Sequence, residues 1–510
     1  MSKRLRFFRS GITLTAVGLT MRTVSMLFGA FVSGAVGAEG VGLYTIVMTV
    51  YSFAITLATS GISLTVTRHV AGAIGEGREE EVTAILKASV LYSLLFGAAS
   101  ALLLFFGAEL IGTHILSDPR TVSALKILSL SLVPIALCSV FSGYFVGVKR
   151  VGFNAAVQVI SQLVKIPLTV ILINKLSSEG IVASVIALCL GITLTELFAL
   201  LLILIEFLFD RRTHPTPVGG DATTGLSTVA TSALPLAVSA YFRSVLTTVE
   251  HILIPRRLIH RGEDNSEAYS HYGTLHGMAL PLVLYPMSPL SSFTGLLVPE
   301  FAEDTAAHRG GRMERIATEA INLTLTYAAL AAVVLFYFSE ELGYAVYGSY
   351  DAGRFIAMLA PIVPVMYLDH VTDGILKGVG EQVYSMWVNI TDSLLSVILV
   401  YFLIPTLGIT GYAVVIIIME GYNFLLSAHR LSRRVRIRAD LFGSLLLPLL
   451  SALCACFVAD SLLLFDGDGV SRWWIALKML FAVSVFVAIL FFLRTLRNGI
   501  RSRRGRVERS

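Results

Sequence analysis

Apolar runs broken by short polar interruptions recur along the whole chain, and each run is about as long as an α-helix needs to be to cross a bilayer. The pattern predicts helices over residues 12–34, 43–66, 84–107, 124–147, 153–174, 181–208, 228–254, 273–298, 318–338, 355–377, 384–404, 409–429, 441–464 and 473–493. Fourteen crossings leave both ends on one side. Prolines interrupt several runs, notably Pro281, Pro286 and Pro289 in the eighth and Pro361 and Pro364 in the tenth. Backbone groups freed by such breaks are tolerated within a membrane where they face a protein-lined cavity.

The polar exceptions inside these runs carry the chemistry. Arg22 stands almost at the midpoint of the first run, where a guanidinium facing lipid costs roughly 2.5–3.5 kcal/mol on insertion scales. Helical steps of three and four from it collect Gly11, Thr15, Gly18, Ser25, Gly29 and Ser33, a small and polar stripe that must face protein or water. The seventh run repeats the device, with Arg243 on one face with Ser232, Ser239, Thr247 and Glu250. Neither arginine has a carboxylate one turn away in its own helix, and a guanidinium in a wet cavity is suited to bidentate capture of phosphate or carboxylate. Both are therefore candidate ligand contacts. Lys165 and Glu196 read differently, as a pair that ties the fifth and sixth helices together. Asp369, His370 and Asp373 in the tenth run, with Asn389 and Asp392 in the eleventh, form either a proton or sodium site or a solvated vestibule wall.

The chain also repeats itself. At an offset of 231 residues, GYFVG (143–147) superposes on GILKG (374–378), each closing the fourth helix of its half. The following helices match polar for polar, Gln158, Ser161, Gln162 and Lys165 falling on Asn389, Asp392, Ser393 and Ser396. Glu196 and Glu420 occupy the sixth helix of each half at an offset of 224. The expected organisation is a six-helix lobe over 1–208, a polar linker over 209–225, a second six-helix lobe over 226–431, and a terminal helix pair with a basic tail over 432–510. Two repeats with polar groups near mid-membrane are the pattern of alternating-access transport.

Composition fits this picture: of 510 residues 55% are hydrophobic and 14% charged, and the mean hydropathy is +0.78. Placing alternate loops in the cytoplasm collects about 27 of the 39 basic residues there, so both termini are expected to be cytoplasmic. Arg256, Arg257 and Arg261 dissent, partly offset by Glu263, Asp264 and Glu267. The basic N-terminus reads as the flank of a first anchor, and the four cysteines as small hydrophobes within apolar runs. A phosphate-binding loop of the G-x-x-x-x-G-K-[ST] type is missing, which argues against ATP hydrolysis. The D-x-D at Asp466 and Asp468 reads as a short outer turn in place of a glycosyltransferase site, and the tail from Arg494 to Arg509 as charge beside anionic lipid, with no platform for nucleic acid.

The stretches TSGISLTVTRHVAG (59–72), VEHILIPRRL (249–258) and YLDHVTDGILKGVGEQ (367–382) resemble the polysaccharide-biosynthesis and stage V sporulation protein B family of lipid-linked oligosaccharide flippases. The resemblance spans nearly the whole chain and extends to lipid II flippases and, more remotely, to multidrug and toxin extrusion antiporters. It implies an all-α integral membrane protein of two pseudo-symmetric six-helix lobes around a cationic cavity, with a terminal pair forming a groove for a polyprenyl tail. It also implies a non-enzymatic flippase in the plasma membrane that moves an undecaprenyl-diphosphate-linked saccharide, lipid II or a polysaccharide precursor, from the inner to the outer leaflet. The implied setting is cell-wall, spore-cortex or polysaccharide synthesis, with membrane lipids and cell-wall synthesis enzymes as partners. Substrate contacts are then expected at Arg22, Arg243, Ser25, Ser239, Thr247 and Glu250, although Glu250 stands where the family often has aspartate. Coupling to protons, sodium or membrane potential is expected at Asp369, His370, Asp373, Asn389, Asp392 and Glu420, with no resident cofactor or metal. The alternative is a cation-coupled multidrug exporter, which would depend on the carboxylates more than on the arginines.

Overall fold

A computed structural model describes residues 3–59, 61–78, 80–176, 178, 180–213, 222–462 and 472–507; side chains are left out for 3–19, for most of those beyond 493 and for a few others, Ser239 among them. Among the described residues every regular element is helical: α1 (Lys3–Thr59), α2 (Ile62–Gly75), α3 (Glu81–Leu110), α4 (Thr121–Ser129), α5 (Leu132–Gly147), α6 (Val151–Leu176), α7 (Ile181–Thr213), α8 (Ala222–Arg261), α9 (Asn265–Tyr272) and α10 (Leu280–Leu284), then α11 (Ser288–Ala306), α12 (Gly310–Tyr337), α13 (Ser339–Tyr347), α14 (Tyr350–Leu359), α15 (Val363–Gly378), α16 (Gln382–Leu407), α17 (Ile409–Arg434), α18 (Leu447–Leu462) and α19 (Arg472–Val507).

Eleven helical stretches among the described residues are long and apolar enough to cross a membrane, or twelve when α4 and α5, bent by 41°, count as one. The expected fourteen are not reached among the described residues. Residues 20–75 form one 56-residue stretch, which at 1.5 Å per residue has the length of two crossings. The 40-residue α8, which carries the seventh predicted span, includes residues whose side chains lie outside those described. The Asp466–Asp468 turn and residues 214–221 of the linker lie outside the described residues.

Contacts divide the chain into two compact units, one of residues 1–34, 274–399 and 407–510, the other of 35–273 with 400–406. The first is called the discontinuous unit below, the second the N-proximal unit. This differs from the boundaries expected at 208, 226 and 431: the start of α1 belongs with the C-terminal helices, and α8 with the N-terminal ones. Both divisions fall at irregular backbone, near Gly37 (φ 71°) within α1 and at a π-helical turn over Gly273–Ala279. Segment 400–406 joins the N-proximal unit where Arg257, one of the dissenting basic residues, stacks 3.9 Å from the Tyr401 ring and donates to the Tyr401 carbonyl at 3.1 Å.

Within each unit the repeated G-x-x-x-G segment makes a close helix crossing. In the N-proximal unit α5 lies against α2 so tightly that a Cβ on Gly143 would come within 2.5 Å of the Ser63 carbonyl and one on Gly147 within 3.0 Å of Val70. In the discontinuous unit α15 lies against α11, where a Cβ on Gly374 would meet Thr294 at 2.0 Å and one on Gly378 would meet Phe301 at 2.7 Å. Small residues one turn apart let helix backbones approach, and in a bilayer that packing supplies much of the association energy.

The helix following each of these segments is tied down by an ion pair with reversed sign. In the N-proximal unit Arg150 bonds to Asp210 at the end of α7, and the Tyr144 hydroxyl donates to the same carboxylate at 2.7 Å. In the discontinuous unit the equivalent residue at offset 231 is Glu381, which accepts from Arg430 at 2.8 Å and Arg434 at 2.5 Å at the end of α17. Arg434 follows Asp210 by 224 residues, the spacing that relates Glu196 to Glu420.

Candidate functional site

Three helices of the discontinuous unit turn their polar faces toward one cavity of about 270 Å³. From α15 come Asp369, His370 and Asp373, which the helical step of three to four places on one face. Ser385 and Asn389 come from α16, and Glu420, Asn423 and Ser427, again one turn apart, from α17. Leu284 and Met287 close the fourth side.

The hydrogen bonding inside the cavity is uneven. Asp373 is fully engaged: the Ser385 hydroxyl donates to one carboxylate oxygen and the Lys377 ammonium lies 2.5 Å from the other. Asn389 donates to the Ser385 carbonyl at 2.9 Å, and the Ser427 hydroxyl reaches the Asp369 carboxylate. Asp369 Oδ1 and His370 Nε2 are nevertheless buried without a protein partner. A buried carboxylate oxygen and ring nitrogen left in this way each call for water, a proton or a cation as partner. Asp392 does not line the cavity, although its charge is felt at Glu420. Among the described residues no three His, Cys, Asp or Glu side chains converge tightly enough to hold a metal ion by themselves. A cation here would therefore lean on the amides, the Ser427 hydroxyl and backbone oxygen, a donor set suited to sodium and unsuited to zinc.

Of the residues expected to contact substrate, Arg22 and Ser25 belong to this same unit. Arg22 is half-buried, within electrostatic reach of His370 and Tyr367, and its neighbour Thr23 shares a 2.7 Å hydrogen bond with the Tyr285 hydroxyl. Arg243, Thr247 and Glu250 belong to the N-proximal unit, Arg243 being exposed and the other two half-buried. Beside Arg243, Ser244 donates to Thr56 at 3.3 Å and Tyr241 to the Leu57 carbonyl at 3.4 Å, which fixes α8 against α1. The Ser239 side chain lies outside those described. In the N-proximal unit Lys165 and Glu196, on the packed pair α6 and α7, interact electrostatically as expected of a structural pair.

Sequence reasoning missed Ser385, Asn423 and Ser427, because hydroxyl and amide residues scattered in apolar helices carry no spacing of their own. Asn423 and Ser427 were legible in one respect only, as residues one and two turns beyond Glu420.

A bundle of apolar helices long enough to cross a membrane, with a half-buried arginine and a partly unsatisfied acidic cavity, is a multi-pass membrane protein. The family model described as polysaccharide biosynthesis protein matches residues 7–304, more than half of the chain, and the chain belongs to that family. Residues 301–402 match the MatE family model. The stage V sporulation protein B of Bacillus subtilis (strain 168) is 24% identical over 502 residues, 96% of either chain. Among solved structures, the lipid II flippase MurJ in an inward closed conformation aligns with a TM-score of 0.70 at 15% identity, covering 95% of this chain and 99% of that one. An inward-facing multidrug resistance MATE transporter of the MOP superfamily aligns with a TM-score of 0.63 at 16% identity, covering 82% and 98%. The chain shares the fold of these two structures.

Proposed function

We propose that the protein is a flippase that moves an undecaprenyl-diphosphate-linked saccharide, lipid II or a polysaccharide precursor, from the inner to the outer leaflet of the plasma membrane by alternating access. The observation that carries this reading is Arg22, a half-buried guanidinium within a membrane-length helix and within electrostatic reach of His370 in the acidic cavity. A diphosphate head is the membrane-soluble group that best repays an arginine at that depth, because two charge-assisted hydrogen bonds offset its desolvation. Arg243, Ser25, Ser239, Thr247 and Glu250 complete the proposed substrate contacts. The chemistry of the substrate is unchanged by transport; only its leaflet changes. Asp369, His370, Asp373, Asn389, Asp392 and Glu420 supply coupling, by binding a proton or sodium ion as the protein changes conformation. The last two helices, α18 and α19, are proposed to flank the polyprenyl tail.

A second reading, cation-coupled export of amphipathic drugs, is favoured by the carboxylates of the cavity and the match of residues 301–402 to MatE. Native mass spectrometry of the purified protein separates the two. Retention of undecaprenyl-diphosphate lipids under gas-phase activation, with loss on Arg22→Ala, supports the flippase; retention of lipophilic cations alone, unaffected by Arg22→Ala, overturns it. Dithionite quenching of a fluorescent lipid diphosphate in vesicles then measures leaflet exchange directly.

A further inference from the structure

The eighth predicted span is interrupted beside the acidic cavity, and the interruption is held open by side chains from other helices. Helix α10 ends at Leu284, residues Tyr285–Met287 tighten into a 3₁₀ turn, and α11 starts at Ser288. Pro286 and Pro289 lack amide protons, so the regular ladder cannot run through this turn. Three carbonyls of the turn take substitutes. The Tyr367 hydroxyl donates to the Val283 carbonyl at 3.0 Å, Ser288 to that of Tyr285 at 2.9 Å, and Tyr327 to that of Pro286 at 2.6 Å. Tyr327 and Tyr367 stack with ring centres 6.3 Å apart, which orients both hydroxyls toward the break.

The turn touches two other things. Leu284 and Met287, its flanks, line the cavity that holds Asp369, and Tyr367 sits two residues before Asp369 on α15. On the side of α1, the Tyr285 hydroxyl is hydrogen-bonded to Thr23 at 2.7 Å, adjacent to Arg22. A continuous helix resists local bending, whereas a turn whose carbonyls are held by side-chain hydroxyls shifts by exchanging single hydrogen bonds.

Resting on the transport reading above, we infer that Tyr285, Tyr327 and Tyr367 are positioning residues through which occupancy of the acidic cavity sets the placement of Arg22. Tyr367 and Tyr327 hold the turn against the cavity, and the Tyr285–Thr23 bond carries any shift of the turn to the helix that bears the arginine. Asp369, His370, Asp373 and Glu420 are the titratable groups that line the cavity, with Asp392, Lys377 and Arg22 the charges beside them.

The test needs no lipid substrate. In full-length protein with its native cysteines replaced, Leu27→Cys places a thiol on the exposed side of α1, five residues from Arg22. Its maleimide labelling rate is measured in sodium chloride against choline chloride, each at pH 6 and pH 8 and corrected for the thiolate fraction with a free thiol. The rate is expected to change at least threefold between two of these conditions, and Tyr285→Phe, which removes the link to Thr23 alone, is expected to abolish that response. Tyr367→Phe should abolish it too, and raise amide exchange over residues 283–290 about fivefold, the effect of one lost hydrogen bond. Asp369→Asn should remove the response without raising that exchange. A labelling rate indifferent to cation and pH in the Leu27→Cys background overturns the inference, and so does a response retained in both tyrosine variants, which would leave the hydroxyls as carbonyl caps only. Failure to retain lipid diphosphates in native mass spectrometry would count against the flippase reading separately, since no step of this experiment uses them.

Discussion

A single charged residue in a membrane helix is informative because the bilayer penalises it so heavily. Arg22 and Arg243 stood out for that reason, and each yields a prediction at this scale. Arg22→Ala and Arg243→Ala are expected to abolish flipping in reconstituted vesicles while the protein still inserts and elutes as a folded species. Lysine at either position should restore transport only in part, since an ammonium lacks the planar fork that binds a diphosphate bidentately. Full transport by the double alanine variant would sink the assignment. For the coupling residues, Asp369→Asn is expected to weaken the dependence of transport on sodium or pH, and Asp392→Asn to do so less, because Asp392 stands behind Glu420 and outside the cavity. Unaltered ion dependence in Asp369→Asn, His370→Ala and Glu420→Gln together would reduce the cavity to a vestibule wall. What was legible here was charge in an apolar context. The tyrosines that cap the broken eighth span were not legible, because aromatic residues are common in membrane helices and only the fold brings Tyr327 and Tyr367 to the carbonyls they serve.

At the scale of elements, the G-x-x-x-G segments were visible in the sequence as a repeat, and the fold gives the repeat its physical content: both pack a helix backbone against a partner, α5 on α2 and α15 on α11. Gly143→Ala is expected to destabilise more than Gly374→Ala, since its Cβ would meet the fixed Ser63 carbonyl at 2.5 Å, whereas the Thr294 methyl that a Cβ at 374 would meet at 2.0 Å can rotate away. Overpacking of this kind costs about 1–3 kcal/mol, so either variant should lower the thermal midpoint in detergent measurably. Gly374→Ala with Thr294→Ser, which removes the clashing methyl, should recover most of the loss; no recovery would show that the helices are held apart by something else. The bend between α4 and α5 was less legible. The sequence carries Pro134 there, while the hydroxyl that supports the bend, that of Tyr51 at 2.5 Å from Ser131, comes from 80 residues away.

Across the whole molecule the two ion-pair clasps have equivalent positions and opposite polarity, Arg150 with Asp210 and Glu381 with Arg430 and Arg434. Arg150→Ala strands a carboxylate that is only 3% exposed, so a loss of about 3–5 kcal/mol is expected, moderated by the Tyr144 hydroxyl that remains. The exchange Arg150→Asp with Asp210→Arg should recover part of it. Glu381 lies between two spans, and the hydrogen bond from Arg430, then that from Arg434, holds its carboxyl below the ordinary glutamate value of 4.5. A depressed carboxylate adds stability above that ordinary value and loses it as pH falls through the lowered one. The thermal midpoint should therefore drop on acidification below about pH 4.5 in the native protein and drop less in Glu381→Gln. A slope unchanged by Glu381→Gln would assign the acid sensitivity elsewhere. The division of the chain into units was the least legible feature, since local periodicity says nothing about which distant helices pack together. That division has a consequence in time. Residues 1–34 leave the ribosome before the rest of their unit, 274–399 and 407–510, and wait for some 240 further residues to be made. At ordinary elongation rates that wait lasts roughly 10–50 s. During it Arg22 sits in a nascent membrane helix without Tyr367 and His370, the α15 residues it later lies beside, and its charge is the more costly for that.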